Sequence, residues 1–160
     1  PRKVAVLGFS AGGHLAATLA PQPGGAGSED PETDAISARP DAVALAYPVI
    51  SFGRHAHVGS AQNLLGDAAT EAELAQWSAE RQVTPETPPA FLFHTTDDPG
   101  VPVQNSLMFA EACAEQGVPC ELHLFPHGRH GVGLAKEDPV LSAWPRLMVE
   151  WLRRQFAAKP

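Results

Sequence analysis

The chain has 160 residues, 44% of them apolar and 18% charged, and a formal net charge of −7. That is enough chain for one well-packed domain, and the absence of any basic run argues against nucleic acid or an anionic membrane as partner. No apolar stretch approaches the length of a transmembrane span or opens the chain as a signal peptide would, and two cysteines, Cys113 and Cys120, form no disulfide framework and read as ordinary thiols.

Residues 3–7, Lys3-Val4-Ala5-Val6-Leu7, have the short, β-branched apolar character of a strand buried on both faces, and residues 14–20 favour helix. Between them stands Gly8-Phe9-Ser10-Ala11-Gly12-Gly13, a G-x-S-x-G run on a strand-to-helix turn. Such a turn projects a serine hydroxyl at the top of a sheet. The next amide, Ala11 N–H, then lies at a helix N-terminus and is a candidate oxyanion donor. The run could also be a glycine-rich turn with an incidental serine, but the strand before it and the helix after it favour a nucleophile.

Residues 21–40 are rich in Gly, Pro, Ser and acidic side chains and read as an exposed, mobile loop. Residues 42–47 form a second apolar strand, stopped by Pro48, which has no N–H to give a ladder. Residues 49–67 read as irregular. Thr70 and Glu73 match a capping box, which predicts a short helix reaching Trp77, and residues 78–89 read as connector. A third strand over 90–94, a helix over 103–116 ended by Gly117, a fourth strand over 121–125 and a closing amphipathic helix over 141–156 complete the chain. The last helix carries Trp144, Leu147, Met148, Trp151 and Leu152 on its apolar side. Strands joined by helices predict an α/β fold, a mostly parallel sheet of about four strands with flanking helices. In such sheets functional groups gather at the carboxyl ends of the strands.

Three of the four strand ends carry reactive groups. Strand one delivers Ser10, strand three runs into His94-Thr95-Thr96-Asp97-Asp98, and strand four runs into Pro126-His127-Gly128-Arg129-His130. A serine needs an imidazole to take its proton, and the imidazole needs a carboxylate to fix its tautomer. The chain order Ser, Asp, His supplies all three parts. Each part has a plainer role available to it. Asp97 or Asp98 could cap the helix that begins near Pro102. His94 fits a packed, hydrogen-bonded histidine better than a catalyst, and His14 fits buried support for the turn. His55 and His57 form H-x-H, and His127 and His130 form H-x-x-H, but without a third ligand at fixed spacing these are weak signals for zinc, and no metal is expected.

Taken together, Gly8-Phe9-Ser10-Ala11-Gly12-Gly13-His14-Leu15-Ala16, Ala46-Tyr47-Pro48-Val49-Ile50, residues 59–66, residues 94–102 and His130-Gly131 resemble the α/β-hydrolase fold esterases. The likeness is strongest to the acetylxylan-esterase-like group, also labelled endo-xylanase-B-like, which lies near the dienelactone hydrolases and the catalytic domains of prolyl oligopeptidases. It covers nearly all of the chain. The resemblance implies Ser10 as nucleophile, Asp98 as acid through the pattern H-G-x-x-D-x-x-V-P, and His130 as base. This chain has Thr95 where many relatives have glycine, which leaves the position of the acid intact.

The resemblance also implies that residues 1–160 are the C-terminal half of an α/β-hydrolase domain, from nucleophile strand to last helix, with the N-terminal strands and their oxyanion loop absent. Ala11 N–H is then the oxyanion donor this chain supplies, and the first strand presents an apolar edge open to self-association. The expected activity is hydrolysis of a small-molecule or carbohydrate ester, with acetyl the favoured acyl group and no cofactor. The competing expectations are a catalytically impaired fragment or an interaction module lacking the full oxyanion hole, a serine peptidase of the same fold, and metal-dependent hydrolysis through His55, His57, His127 and His130. The sequence leaves the compartment open.

Overall fold

A computed structural model describes residues 3–21, 32 and 37–157, so most of the loop expected over 21–40 lies outside the described residues. Four strands, β1 (Ala5–Phe9), β2 (Ala42–Ala46), β3 (Ala90–Thr95) and β4 (Cys120–Phe125), form one sheet in the order β1-β2-β3-β4. Every pairing is parallel, with Phe9 opposite Ala46, Ala46 opposite Phe93 and Thr95 opposite Phe125. The carboxyl ends of all four strands therefore finish together. Among the described residues five α-helices accompany the sheet: α1 (Ala11–Leu19), α2 (Val58–Leu65), α3 (Glu71–Gln76), α4 (Gln104–Glu115) and α5 (Trp144–Phe156).

The alternation of side chains along the central strands builds two cores. Val43, Leu45 and Leu92 face Ala16 and Ala17 of α1 and Phe109 and Cys113 of α4. Ala42, Ala44, Ala46, Phe91 and Phe93 face the other way, toward Trp144 and Trp151 of α5. This is the period of two that a strand imposes, filled on both faces by helices. The small alanines of β2 leave room for the indoles, and Phe93 stacks on Trp144 with ring centroids 4.9 Å apart and planes 7° from parallel. Both cysteines are free thiols.

Two expectations need correction. The first strand is not buried on both faces: Val4 is 45% and Leu7 40% exposed. Among the described residues β1 has a strand partner on one side only, so its side chains pack at the margins of the two cores. The stretch 49–67 is not wholly irregular, because α2 lies within it. Its start, Val58-Gly59-Ser60, has poor helix propensity. An extended His57 caps it instead, with Nδ1 accepting from Ser60 N–H at 3.2 Å, and Gly66 at φ 83° ends it. The capping box at Thr70 and Glu73 is present as expected, Thr70 N–H donating to Glu73 Oε2 at 2.8 Å. The connector over 78–89 contains one 3₁₀ turn, Ala79–Gln82.

Trp144 is completely buried. Trp144→Ala should therefore cost about 3–5 kcal/mol, as truncation of a large buried aromatic does, and urea denaturation should show this as a lower midpoint with an unchanged slope.

Candidate active site

The strand-to-helix turn after β1 holds Ser10 at φ 52°, ψ −121°, a conformation non-glycine residues rarely adopt. The turn is tied down on both sides. Ser10 N–H donates to Ala46 O at 3.1 Å, and Ser10 O accepts from Val49 N–H at 3.0 Å and from Gly13 N–H at 2.9 Å. Two of the glycines serve close approach. A Cβ on Gly8 would run into the Gly12 carbonyl oxygen and stand 2.8 Å from Ala16 Cβ, and one on Gly13 would stand 2.6 Å from Pro48 Cβ. Gly12, the last glycine of the G-x-S-x-G run, faces open space.

From this turn a row of hydrogen bonds crosses the strand ends. Ser10 Oγ lies 2.7 Å from His130 Nε2, and His130 Nδ1 lies 2.8 Å from Asp98 Oδ2. A carboxylate only accepts, so the partners assign the proton to Nδ1 and leave Nε2 to accept from the Ser10 hydroxyl. The other oxygen, Asp98 Oδ1, accepts from Gly100 N–H at 2.8 Å and Val101 N–H at 3.0 Å. The Asp98 side chain is 1% exposed and that of His130 25%. The acid is thus sealed from water while the imidazole keeps a face toward it. A hydroxyl, imidazole and carboxylate so linked can pass the serine proton to the ring and stabilise the resulting cation. Ala11 begins α1 directly after Ser10, and its N–H donates to no backbone carbonyl among the described residues.

The other sequence candidates fall elsewhere. Asp97 pairs with His127, Oδ2 to Nδ1 at 2.8 Å, and accepts from Gly128 N–H at 2.8 Å. The His127 contact, helped by Gly128 N–H, holds the Asp97 carboxyl below its ordinary range. This second Asp–His pair is open to solvent and has no serine in its row. Neither aspartate caps α4, whose N-cap Val103 has no side-chain cap bond. His14 is buried, its Nε2 2.7 Å from Trp77 O and its ring stacked on Phe52 at 4.6 Å, and burial pushes its pKa down despite the Trp77 bond. His57 is spent on the α2 cap. Among the described residues no group of three or more His, Cys, Asp and Glu side chains is placed to hold a metal.

Three residues at the site escaped the sequence reading. Tyr47, at the end of β2, has φ 39°, and its ring packs edge-on against His130 with centroids 5.1 Å apart. Its hydroxyl accepts from Gly133 N–H at 3.1 Å, and burial pushes its pKa up. Tyr47 stands directly after a strand, where chemistry in parallel sheets collects. Gly100 lets His130 approach, since a Cβ there would lie 2.8 Å from His130 Cγ. Gly128 does the same for Thr95, with a Cβ 2.7 Å from Thr95 Cγ2.

Comparison with known proteins places these observations. The profile of the prolyl oligopeptidase family matches residues 1–159. A protein of Butyrivibrio fibrisolvens named endo-1,4-beta-xylanase B is 41% identical over 159 residues, 98% of this chain and 25% of its own length. An acetylxylan esterase of Xylanibacter ruminicola is 33% identical over 138 residues, 83% of this chain and 26% of its own length. Among solved structures, an acetyl ester-xyloside bifunctional hydrolase of Caldicellulosiruptor lactoaceticus superposes with a TM-score of 0.87 at 46% identity, covering 94% of this chain and 56% of that one. The chain thus spans about a quarter of the curated relatives and a little over half of the solved one.

The glycine contacts separate the motif positions. Gly12→Ala should be neutral or stabilising by up to about 1 kcal/mol, because it adds helix propensity in open space. Gly13→Ala should cost about 1–3 kcal/mol through the contact with Pro48. Denaturant midpoints of the two variants, run side by side, check the difference.

Proposed function

The chain belongs to the prolyl oligopeptidase family, and from that premise we propose that it is a carboxylic ester hydrolase acting through Ser10, His130 and Asp98. Ser10 Oγ attacks the ester carbonyl as its proton passes to His130 Nε2. Ala11 N–H faces the developing oxyanion. The tetrahedral adduct then breaks its bond to the alcohol oxygen, which takes the proton back from His130 and leaves. Water repeats the sequence on the acyl-serine: it loses a proton to His130 as it attacks, and the carboxylic acid departs as Ser10 regains the proton. Asp98 keeps the imidazole in the required tautomer throughout. No cofactor enters these steps.

One observation carries this reading: a serine held at φ 52° on a strand-to-helix turn, 2.7 Å from an imidazole that a buried carboxylate backs at 2.8 Å. The names of the relatives support ester cleavage, and those that mention acetyl or xylan favour a short acyl group on a carbohydrate as the substrate. Glycoside cleavage, which two of the relatives' names carry, ordinarily uses a pair of carboxyl groups flanking the bond. The Ser–His–Asp row is chemistry for acyl transfer instead. The family's name keeps peptide hydrolysis as a second reading on the same residues.

The described residues supply one backbone oxyanion donor, Ala11, and the loss of a single such donor typically costs about 10²–10³ in rate. We further propose the edge of β1 as a surface for self-association, since Val4 and Leu7 are exposed and, among the described residues, β1 has a strand neighbour on one side only.

Hydrolysis of p-nitrophenyl acetate should be abolished in Ser10→Ala, fall about 10⁴-fold in Asp98→Asn, and stay within a few-fold in Asp97→Asn. Equal rates for the chain and Ser10→Ala would remove the hydrolase reading. Labelling of Ser10 by a fluorophosphonate without ester turnover would favour an impaired site, and faster release from a peptide p-nitroanilide than from the ester would favour the peptidase.

A further inference from the structure

A second histidine lies behind the acid. His94, near the end of β3, is completely buried, and both ring nitrogens are engaged. Nε2 lies 3.0 Å from Val101 O, and Nδ1 lies 2.7 Å from Ser106 Oγ of α4. A carbonyl oxygen only accepts, so Nε2 carries the proton and Nδ1 accepts from the Ser106 hydroxyl. The same Nε2 is 3.4 Å from Asp98 Oδ2, the oxygen that faces His130 Nδ1. Val101 closes the circuit. Its N–H donates to Asp98 Oδ1 at 3.0 Å while its carbonyl receives His94.

We propose that His94 is a positioning residue for the acid: through Val101 it fastens the turn over 98–101 to β3 and α4, and so fixes the Asp98 oxygen that orients His130. This rests on the reading of Asp98 as the acid of the site. Ser106 supports it by holding the ring in the tautomer that donates from Nε2. Burial keeps the ring neutral, pushing its pKa down against the raising effects of the Val101 carbonyl and Asp98. A neutral ring is what the arrangement requires, because a charged one would compete with His130 for the same carboxylate oxygen.

The test compares two substitutions of similar polarity. The side-chain amide of His94→Gln reaches the place of Nε2 and can donate to Val101 O, whereas that of His94→Asn reaches only the place of Nδ1. The rate at which an alkyl fluorophosphonate labels Ser10 reads the site without requiring turnover, with Ser10→Ala as the blank. His94→Gln is expected within about 5-fold of the parent chain, and His94→Asn about 10- to 100-fold slower, the cost of a misplacement on the order of 1 Å. The low-field proton resonance of the His130–Asp98 hydrogen bond should persist in His94→Gln and broaden or vanish in His94→Asn. Ser106→Ala, which leaves the ring in place, should slow labelling and weaken the same resonance. Equal labelling rates in the Gln and Asn variants, or an unchanged rate and resonance in Ser106→Ala, would overturn the role of His94. If the parent chain is not labelled at Ser10 at all, the hydrolase reading falls first, and the inference with it.

Discussion

A carboxylate taken out of water must find donors in the protein or give up its charge, and the region around Asp98 is arranged to provide them. The turn over 98–101 folds back so that two of its own N–H groups, Gly100 and Val101, meet Oδ1, while His130 meets Oδ2. Gly100 serves twice, since its N–H reaches the acid and its missing side chain admits the imidazole. His94 and Ser106 join the turn to β3 and α4. The site is therefore an extension of the sheet: moving the acid would mean moving β3, whose central residues Phe91, Leu92 and Phe93 lie in the two cores.

The contrast between the two Asp–His pairs explains why spacing alone left a choice. Asp97–His127 and Asp98–His130 have the same bond length, 2.8 Å, and come from the same two loops. They differ in surroundings. In the outer pair the side chains are 51% and 85% exposed, where water screens the charge; in the inner pair they are 1% and 25% exposed. Burial is a property of the assembled sheet, so residue types in a loop do not reveal it. The family resemblance picked the inner pair because it carries a position, not because the chemistry of the residues differs.

The parallel sheet and the last helix were legible because apolar strand runs and a helical apolar period translate directly into the two cores, as the indoles of α5 against the alanines of β2 illustrate; the strand order was not, since periodicity does not carry it. The capping box at Thr70 was legible for a similar reason, being a local exchange of two hydrogen bonds. Helix α2 was not, because it begins on residues of poor propensity and depends on a histidine cap and on packing of Ala61 into a third small cluster with Val49, Phe52 and Val101. The residues of β1 read as a strand buried on both faces because an edge strand and a central one can share the same run of apolar residues; only the number of neighbours separates them, and it was the resemblance that implied an open edge there. Tyr47 stands where the strand-end rule points, but what it does there rests on a positive φ and a ring contact with His130, and neither leaves a mark in the sequence.

Backbone strain at the site is held by the same packing that stabilises the fold. Ser10 and Tyr47 both have positive φ, a cost of order 1–3 kcal/mol each. They follow adjacent strands and are pinned by hydrogen bonds to the next strand over, Ser10 N–H to Ala46 O and Tyr47 N–H to Phe93 O. Tyr47 then reaches Gly133 N–H, and Gly133 O accepts from the Trp144 indole N–H at 3.0 Å. The loop that carries His130 is thus anchored beyond it by a tyrosine whose backbone is strained and a tryptophan that stacks on Phe93. The indole has two functions that a purely apolar core residue would not have, filling the space under β2 and holding the far side of the His130 loop. A phenylalanine at position 144 could replace much of the first and none of the second, so stability and site geometry are expected to separate there, although one side chain supports both.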